Sequence, residues 1–252
     1  MPNSAWPYLD HPGILAFAHR GGAGDAPENT LPAFARAADL GYRYFETDAH
    51  LTADGVVVAF HDDVLDRVTD GTGAIADLPW SEVAQARIDG QPIPRMDELL
   101  ETFPDVRVNI DAKHDPVVAP LADLLRKLSA IDRVGIGSFS DRRLAEMRRR
   151  CGPRLCTSLG PRGTARLKAA ARGIPVGRLP SPCAQVPVRS GRVVITDRRF
   201  VAAAHRRSMQ VHVWTVDDPV EMERLIDLGV DGLMTDRLEV LKDVLVRRGL
   251  WS

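Results

Sequence analysis

The chain has 252 residues, of which 44% are hydrophobic and 27% charged, and its formal net charge is −1. This composition is typical of a globular protein, and the near-neutral charge argues against a nucleic-acid or membrane-surface binder, which would need a basic excess. No run approaches the ~20 apolar residues of a membrane span, and the N-terminal residues lack the features of a signal peptide, so we expect no stable membrane insertion. Three cysteines without metal-finger spacing predict reduced thiols in a cytoplasmic protein.

Strand patterns alternate with helical patterns along most of the chain. The predicted strands cover 14–19, 42–48, 55–62, 106–113, 133–139, 154–160, 192–196, 210–216 and 230–235. The predicted helices cover 31–41, 96–103, 118–131, 141–152, 164–173, 198–207, 219–229 and a last segment from Arg237. Thr30 is a candidate N-cap for the first helix and Gly41 a stop signal.

This alternation predicts βαβ units and a parallel sheet. About eight strands, with no GxGxxG motif after the first, favour a closed (β/α)8 TIM barrel over a Rossmann sheet. We expect a single domain over residues 1–252. Residues 63–94 do not follow the alternation of strands and helices, which predicts a small insertion after the strand carrying His61.

Polar residues follow one face of several predicted strands. Glu46 and Asp48 share a face because strand side chains alternate, and two like charges so close repel each other. In the strand 106–113 one face is apolar, while the other carries Asn109, Asp111 and Lys113. The apolar face must pack against helices, so the polar face is expected to line the barrel interior near the carboxyl ends of the strands.

Seven polar side chains are therefore expected to converge at this end of the barrel: His19, Arg20, Glu46, Asp48, His61, Asp111 and Lys113. Three carboxylates can share such a space around a divalent cation, and oxygen ligands suit Mg²⁺ or Ca²⁺ better than Zn²⁺. A salt-bridge network is the structural alternative for the carboxylate pair on one strand. The side chain of Trp214 is expected either to form an aromatic wall of the site or to pack in the core.

Three further residues receive structural predictions. His50 has the parity of Glu46 and Asp48 but is expected past the strand end, at the rim. Asp236 lies three residues before Glu239, which resembles a capping box at the start of the last helix. His212 is expected to face the barrel interior.

Several motifs in a fixed order identify a family resemblance. The segments AHRGGAGDAPENTLPAF, GYRYFETDAHLTADGVVVAFHDDVLDRVTDGTG, VHVWTVDD and GVDGLMTD resemble the glycerophosphodiester phosphodiesterases over about residues 15–245. The His-Arg-Gly, Pro-Glu-Asn-Thr, Glu-x-Asp and His-Asp elements are specific in combination, although each alone is weak.

The resemblance implies a barrel that hydrolyses glycerophosphodiesters to glycerol 3-phosphate and an alcohol. It implies metal ligation by Glu46, Asp48 and a third carboxylate, acid–base roles for His19 and His61, and phosphate contacts from Arg20 and Lys113. One departure is that the family usually has Glu-x-Lys where this chain has Asp111-Ala112-Lys113. The shorter Asp111 loses roughly 1.5 Å of reach, so it ligates either directly or through water.

The sequence leaves three hypotheses about function open. The first is a metal-dependent glycerophosphodiesterase acting on a small-molecule substrate, with either water or the substrate's 2-hydroxyl as the nucleophile. The second is a lysophospholipase D, which needs an apolar groove that the 63–94 segment does not obviously supply. The third is a non-catalytic phosphate-binding barrel, against which the two histidines argue. No oligomeric state can be derived from the sequence.

Overall fold

The computed structural model describes residues 6–251 and contains a parallel barrel surrounded by helices. Its eight barrel strands are β1 (Leu15–His19), β2 (Tyr44–Leu51), β3 (Arg107–Ala112), β4 (Val134–Gly137), β5 (Cys156–Thr157), β6 (Cys183–Pro187), β7 (Gln210–Trp214) and β8 (Gly232–Thr235). Their spatial order is β5-β4-β3-β2-β1-β8-β7-β6. A parallel bridge between Ser158 and Cys183 joins β5 to β6 and closes the ring. The predicted TIM-barrel fold is confirmed.

The helices mostly follow the predicted segments: α1 (Leu31–Asp39), α2 (Trp80–Val83), α3 (Met96–Thr102), α4 (Val118–Lys127), α5 (Asp141–Cys151), α6 (Pro161–Ala170), α7 (Arg198–His205), α8 (Pro219–Leu228) and α9 (Leu238–Arg247). Thr30 caps α1 as predicted, because its side chain accepts a hydrogen bond from the Ala33 backbone N–H. No helix among residues 6–251 combines the length and apolarity needed to cross a bilayer.

Two strand predictions differ from the structure. The predicted strand at 192–196 is only the Val193–Val194 half of a short hairpin, and Cys183–Pro187 takes its place in the barrel. The sequence did not predict that strand because Ala184 and Pro187 have low strand propensity. The predicted strand at 55–62 is reduced to Val57–Ala59, which pairs antiparallel with β2 outside the ring. His61 therefore lies two residues beyond a strand, not on one.

The core has two layers separated by the strands. Val108 and Ile110 on β3 belong to the large outer layer, between the barrel and the helices. The inner layer at the amino end of the barrel contains Phe17 and Tyr44, and Tyr8 from the 3-10 helix Pro7–Leu9 packs against them. A Cβ at Gly135 would lie 2.6 Å from the Tyr8 ring, so only glycine fits there. The amino end is filled, which leaves the carboxyl end for a site.

The segment 63–94 forms a small subcluster beside the barrel mouth. It contains α2, a 3-10 helix at Ile75–Asp77 and a two-residue ladder between Arg87–Ile88 and Gln91–Pro92. Its buried residues pack with Val58 and Phe60 and are separate from the main core. This subcluster borders the loop that carries His61.

Candidate active site

A cavity of about 780 Å³ opens at the carboxyl end of the barrel strands. All the site residues predicted from the sequence line it: His19, Arg20, Glu46, Asp48, His61, Asp111, Lys113 and Trp214. They come from the ends of different strands and loops, as in other barrel sites. The alternation of β2 and β3 accounts for this, because Glu46, Asp48, Asn109 and Asp111 all face inward.

Three carboxylates occupy one wall of the cavity. Glu46 and Asp48 are 6% and 3% exposed, and Asp48 lies directly beside Asp111 in the strand register. Burial, and then the neighbouring charge of Asp48, raise the pKa of Glu46 to about 7. Burial also raises the pKa of Asp111, with a contribution from Asp48 that Lys113 opposes. Without a counter-charge this group of side chains is electrostatically unfavourable.

Two cations partly compensate the carboxylates. Lys113 Nζ lies 2.7 Å from Asp48 Oδ1 and 3.4 Å from Asp111 Oδ2. Burial acts to lower the pKa of Lys113, but the two aspartates outweigh it and raise that pKa. Arg20 Nε lies 3.6 Å from Asp48 Oδ2. Arg20 has a φ of 51°, an uncommon left-handed backbone that turns the chain directly after β1.

Two carboxylate oxygens fit a metal-binding role. Asp48 Oδ2 and Asp111 Oδ1 are buried and have no hydrogen-bond partner among residues 6–251. Buried acceptors without partners are costly, and a hard dication takes oxygen ligands of this kind. The oxygens of Glu46, Asp48 and Asp111 do not all lie within 4.8 Å of one another. In the described chain only His50, Asp63 and His114 meet that distance with one ligand atom each.

His19 is held by a residue whose role the sequence did not reveal. Its Nδ1 lies 2.6 Å from Asp236 Oδ1, and its Nε2 is 3.7 Å from Glu46 Oε2. Burial acts to lower the pKa of His19, but the carboxylates of Glu46 and Asp236 outweigh it and raise that pKa. The capping-box prediction for Asp236 is wrong, because Arg237 occupies the N-cap of α9 and no side chain caps that helix.

His61 is held by a second carboxylate. Its Nδ1 lies 2.5 Å from Asp62 Oδ1, and Asp62 is paired with Arg67. Arg67 also binds Glu28, whose Oε1 is 3.2 Å from Arg20 Nη1. The Arg67 hydrogen bond is the main reason that the pKa of Asp62 falls to about 2. The 63–94 segment thus supplies the cation that connects the His61 and Arg20 sides of the mouth.

The wall opposite the carboxylates is largely apolar. It comprises Phe139, Leu159, Pro161, Ala165, Ala169, Ile174, Val186, Ile195 and Trp214. Phe139 is 67% exposed, and its ring meets Trp214 edge-on with centroids 5.8 Å apart. The 63–94 segment contributes none of these residues, as expected, and the apolar surface comes mainly from α6 and from the loops after β4 and β6.

Of two other histidines, His50 differs from its prediction and His212 agrees with it. His50 lies within β2, not past its end, and is only 2% exposed. The parity of His50 was visible, but the strand extends further than predicted. His212 faces inward as expected, yet it packs on Phe17 below the cavity. Burial lowers the pKa of His212 to about 3, so it is a neutral core residue.

Comparisons with known proteins agree with this geometry. The model of the glycerophosphoryl diester phosphodiesterase family matches residues 19–240. A Mycobacterium tuberculosis protein named "Probable glycerophosphodiester phosphodiesterase 2" is 40% identical, over 97% of this chain and 96% of its own length. A glycerophosphodiester phosphodiesterase of Caldanaerobacter subterraneus subsp. tengcongensis is 31% identical, over 93% and 98%.

The fold has solved counterparts as well. The structure of an Oleispira antarctica phosphodiesterase in complex with its product sn-glycerol-3-phosphate superposes with a TM-score of 0.78, at 22% identity over 93% of this chain and 97% of that one. This structural likeness shows the fold, whereas the family model and the two relatives match the sequence over most of its length. The chain belongs to the glycerophosphoryl diester phosphodiesterase family.

Proposed function

We propose that this protein hydrolyses small glycerophosphodiesters to glycerol 3-phosphate and an alcohol, in a reaction that depends on a divalent cation. The observation that carries the proposal is the meeting of two carboxylate-bound imidazoles, three buried carboxylates and two cationic side chains on one cavity. A barrel that only bound phosphate would need the cationic groups but not a pair of oriented histidines. We assign the reaction to the cytoplasm, which the three free thiols support.

Glu46, Asp48 and Asp111 are the side chains that would hold Mg²⁺ or Ca²⁺. Asp48 Oδ2 and Asp111 Oδ1, which accept no hydrogen bond among residues 6–251, support this assignment. A bound dication would supply Lewis-acid polarisation of a phosphoryl oxygen, worth several kcal/mol in the transition state. Asp111 contributes either directly or through water, because its side chain is one methylene shorter than the usual glutamate.

Arg20 and Lys113 provide the positive charge for the phosphodiester monoanion. The planar guanidinium of Arg20 matches two phosphate oxygens, and Lys113 adds a compact charge beside them. Both are buried enough to act with little screening, at 17% and 18% side-chain exposure. In the free protein the same charges neutralise Asp48.

His19 and His61 are the acid–base pair. Each donates its Nδ1–H to an aspartate, which orients the ring and leaves Nε2 for the substrate. One imidazole takes the proton from the nucleophile and the other protonates the departing alcohol oxygen, each step contributing typically ~10²–10⁴-fold. The nucleophile is water or the glycerol 2-hydroxyl, and the same two groups serve either route.

The decisive experiment combines an assay with two substitutions at one position. Purified protein is incubated with glycerophosphocholine and glycerophosphoethanolamine in Mg²⁺, Ca²⁺ or EDTA, and glycerol 3-phosphate is measured. We expect turnover that EDTA abolishes. Asp111→Glu should keep the metal requirement, whereas Asp111→Asn should raise the half-saturating metal concentration at least tenfold. Turnover that is unaffected by EDTA, or by His61→Ala, would refute the proposal.

The apolar wall favours a second candidate, lysophospholipase D activity. Phe139 and Ile174 are exposed and Trp214 is half-buried, and all three line the cavity that holds the histidines. A single acyl chain would bury such surface favourably, at about 25 cal/mol per Å². The same assay with a lysophosphatidylcholine, followed by choline release and lysophosphatidic acid formation, separates this candidate from the first.

A further inference from the structure

A second cluster of potential metal ligands lies beside the cavity and is not used by the reaction above. It consists of His50 on β2, Asp63 in the loop after His61, and His114 directly after Lys113. One ligand atom from each lies within 4.8 Å of the other two. The imidazole rings of His50 and His114 are 4.9 Å apart between centroids, and His114 Nε2 is 3.1 Å from Asp63 Oδ1.

The hydrogen bonding of His50 prepares it to bind a metal. Its Nε2 lies 3.0 Å from the carbonyl oxygen of His61. A carbonyl oxygen only accepts, so Nε2 carries the hydrogen and Nδ1 keeps its lone pair. Histidines that bind metals usually donate their second ring N–H to a carbonyl or a carboxylate in this way. At 2% exposure, His50 is also fixed in position by its surroundings.

An ordinary ion pair accounts for only part of the cluster. His114 and Asp63 are 43% and 74% exposed, and an exposed pair of this kind contributes little to stability. It also does not explain why a second imidazole, buried and oriented, shares the same small volume. Two imidazoles and one carboxylate are a ligand set for a borderline dication, with water completing the coordination.

We propose that His50, Asp63 and His114 form a second metal site, selective for Zn²⁺ or a similar transition-metal dication over Mg²⁺ and Ca²⁺. The site is distinct from the carboxylates Glu46, Asp48 and Asp111. Its position has a mechanical consequence. Bound metal would connect Asp63, two residues after His61, to His114, directly after Lys113. It would thereby restrict the movement of both active-site residues.

Metal binding measured on the whole protein tests the proposal without reference to activity. Metal-free protein is first saturated with Mg²⁺ and then titrated with Zn²⁺, or with Co²⁺ as an absorbing probe. After dialysis, the number of bound metal ions per chain is measured. We expect about one Zn²⁺ per chain in the wild type. We expect the same in Glu46→Gln, because this variant alters only the carboxylate site.

The ligand variants should behave differently from a matched histidine. His114→Ala and Asp63→Asn change exposed residues, so the fold should persist, and each should weaken Zn²⁺ binding at least tenfold. His205→Ala is the control, because His205 is similarly exposed and also paired with an aspartate, Asp231, but belongs to no group of three metal-ligating side chains among residues 6–251. Zinc retention by His114→Ala equal to that of the wild type, loss of zinc in Glu46→Gln, or no zinc retained by the wild type would overturn the proposal.

Discussion

Asp236 Oδ1 lies 2.6 Å from His19 Nδ1, and this contact joins the end of the last barrel strand to the end of the first across 217 residues. Closure of the barrel brings the two together, since β1 and β8 are paired neighbours. The carboxylate orients the ring and stabilises its protonated form. Asp236 is therefore a positioning residue for one of the two histidines that we assign to proton transfer.

Asp236→Asn should lower the pKa of His19, because the amide keeps a hydrogen-bond acceptor but removes the negative charge. We expect kcat to fall by ~10- to 100-fold and the His19 limb of the pH–rate profile to move to lower pH. The check is kcat and kcat/KM measured between about pH 5 and pH 9. Asp227→Asn, which removes an exposed carboxylate paired with Arg248, serves as the control. A profile that keeps its wild-type limbs would contradict the role of Asp236.

Arg67 should contribute to catalysis although it lies outside the strands. Arg67→Ala leaves Asp62 and Glu28 without their shared cation, so His61 loses its fixed orientation. We expect kcat to fall about tenfold, within the range for a misplaced acid–base group, with a smaller change in KM. Arg95→Ala is the matched control, because Arg95 is equally exposed and pairs with an aspartate away from the cavity. Equal effects of the two variants would show that orientation by Arg67 is unimportant.

Glu46 should make the metal-free protein less stable as pH rises. Its pKa is about 7 in the folded state and near 4.5 when unfolded, so the folded state holds a proton that the unfolded state releases. The stabilisation is fully present below about pH 4.5 and is lost as pH rises through about 7. Relative to the wild type, Glu46→Gln should therefore gain about 1 to 3 kcal/mol of unfolding free energy between pH 5 and pH 8.

Urea unfolding in EDTA at several pH values measures this difference. Glu82→Gln, at an exposed position, is the control and should follow the wild type at every pH. We expect Mg²⁺ to bind the ionised carboxylate, so it should restore stability to the wild type above pH 7 and do so less in Glu46→Gln. A constant difference between Glu46→Gln and wild type across the range would exclude a raised pKa at Glu46.

The apolar wall should matter for lipid substrates more than for small ones. Phe139→Ala removes an exposed ring that meets Trp214, so it should raise the KM for a lysophospholipid about tenfold, equivalent to ~1.4 kcal/mol. The change for glycerophosphocholine should be much smaller, because that substrate has no acyl chain. Val220→Ala alters an exposed apolar residue outside the cavity and is the control. Parallel changes for both substrates would argue against an acyl-binding wall.

Local patterns were enough to predict the barrel and the side chains that face its interior. The alternation of Val108 and Ile110 with Asn109 and Asp111 is a property of any strand, and it predicted which face of β3 lines the cavity. The same rule brought Glu46 and Asp48 to one wall. The strand Cys183–Pro187 escaped prediction because neighbouring strands impose its extended conformation on residues that do not favour it.

Asp62 adjoins His61 in the sequence, but the distant contacts that hold the two histidines depend on tertiary structure. Asp236 reaches His19 only because the ring closes, and Arg67 reaches Glu28, 39 residues away, only because the 63–94 segment folds back on the barrel mouth. Side-chain periodicity is a local steric property that the amino-acid order carries directly. Pairings between distant residues, the apolar wall opposite the carboxylates and the His50–Asp63–His114 cluster arise from chain closure and packing, which no short stretch of sequence encodes.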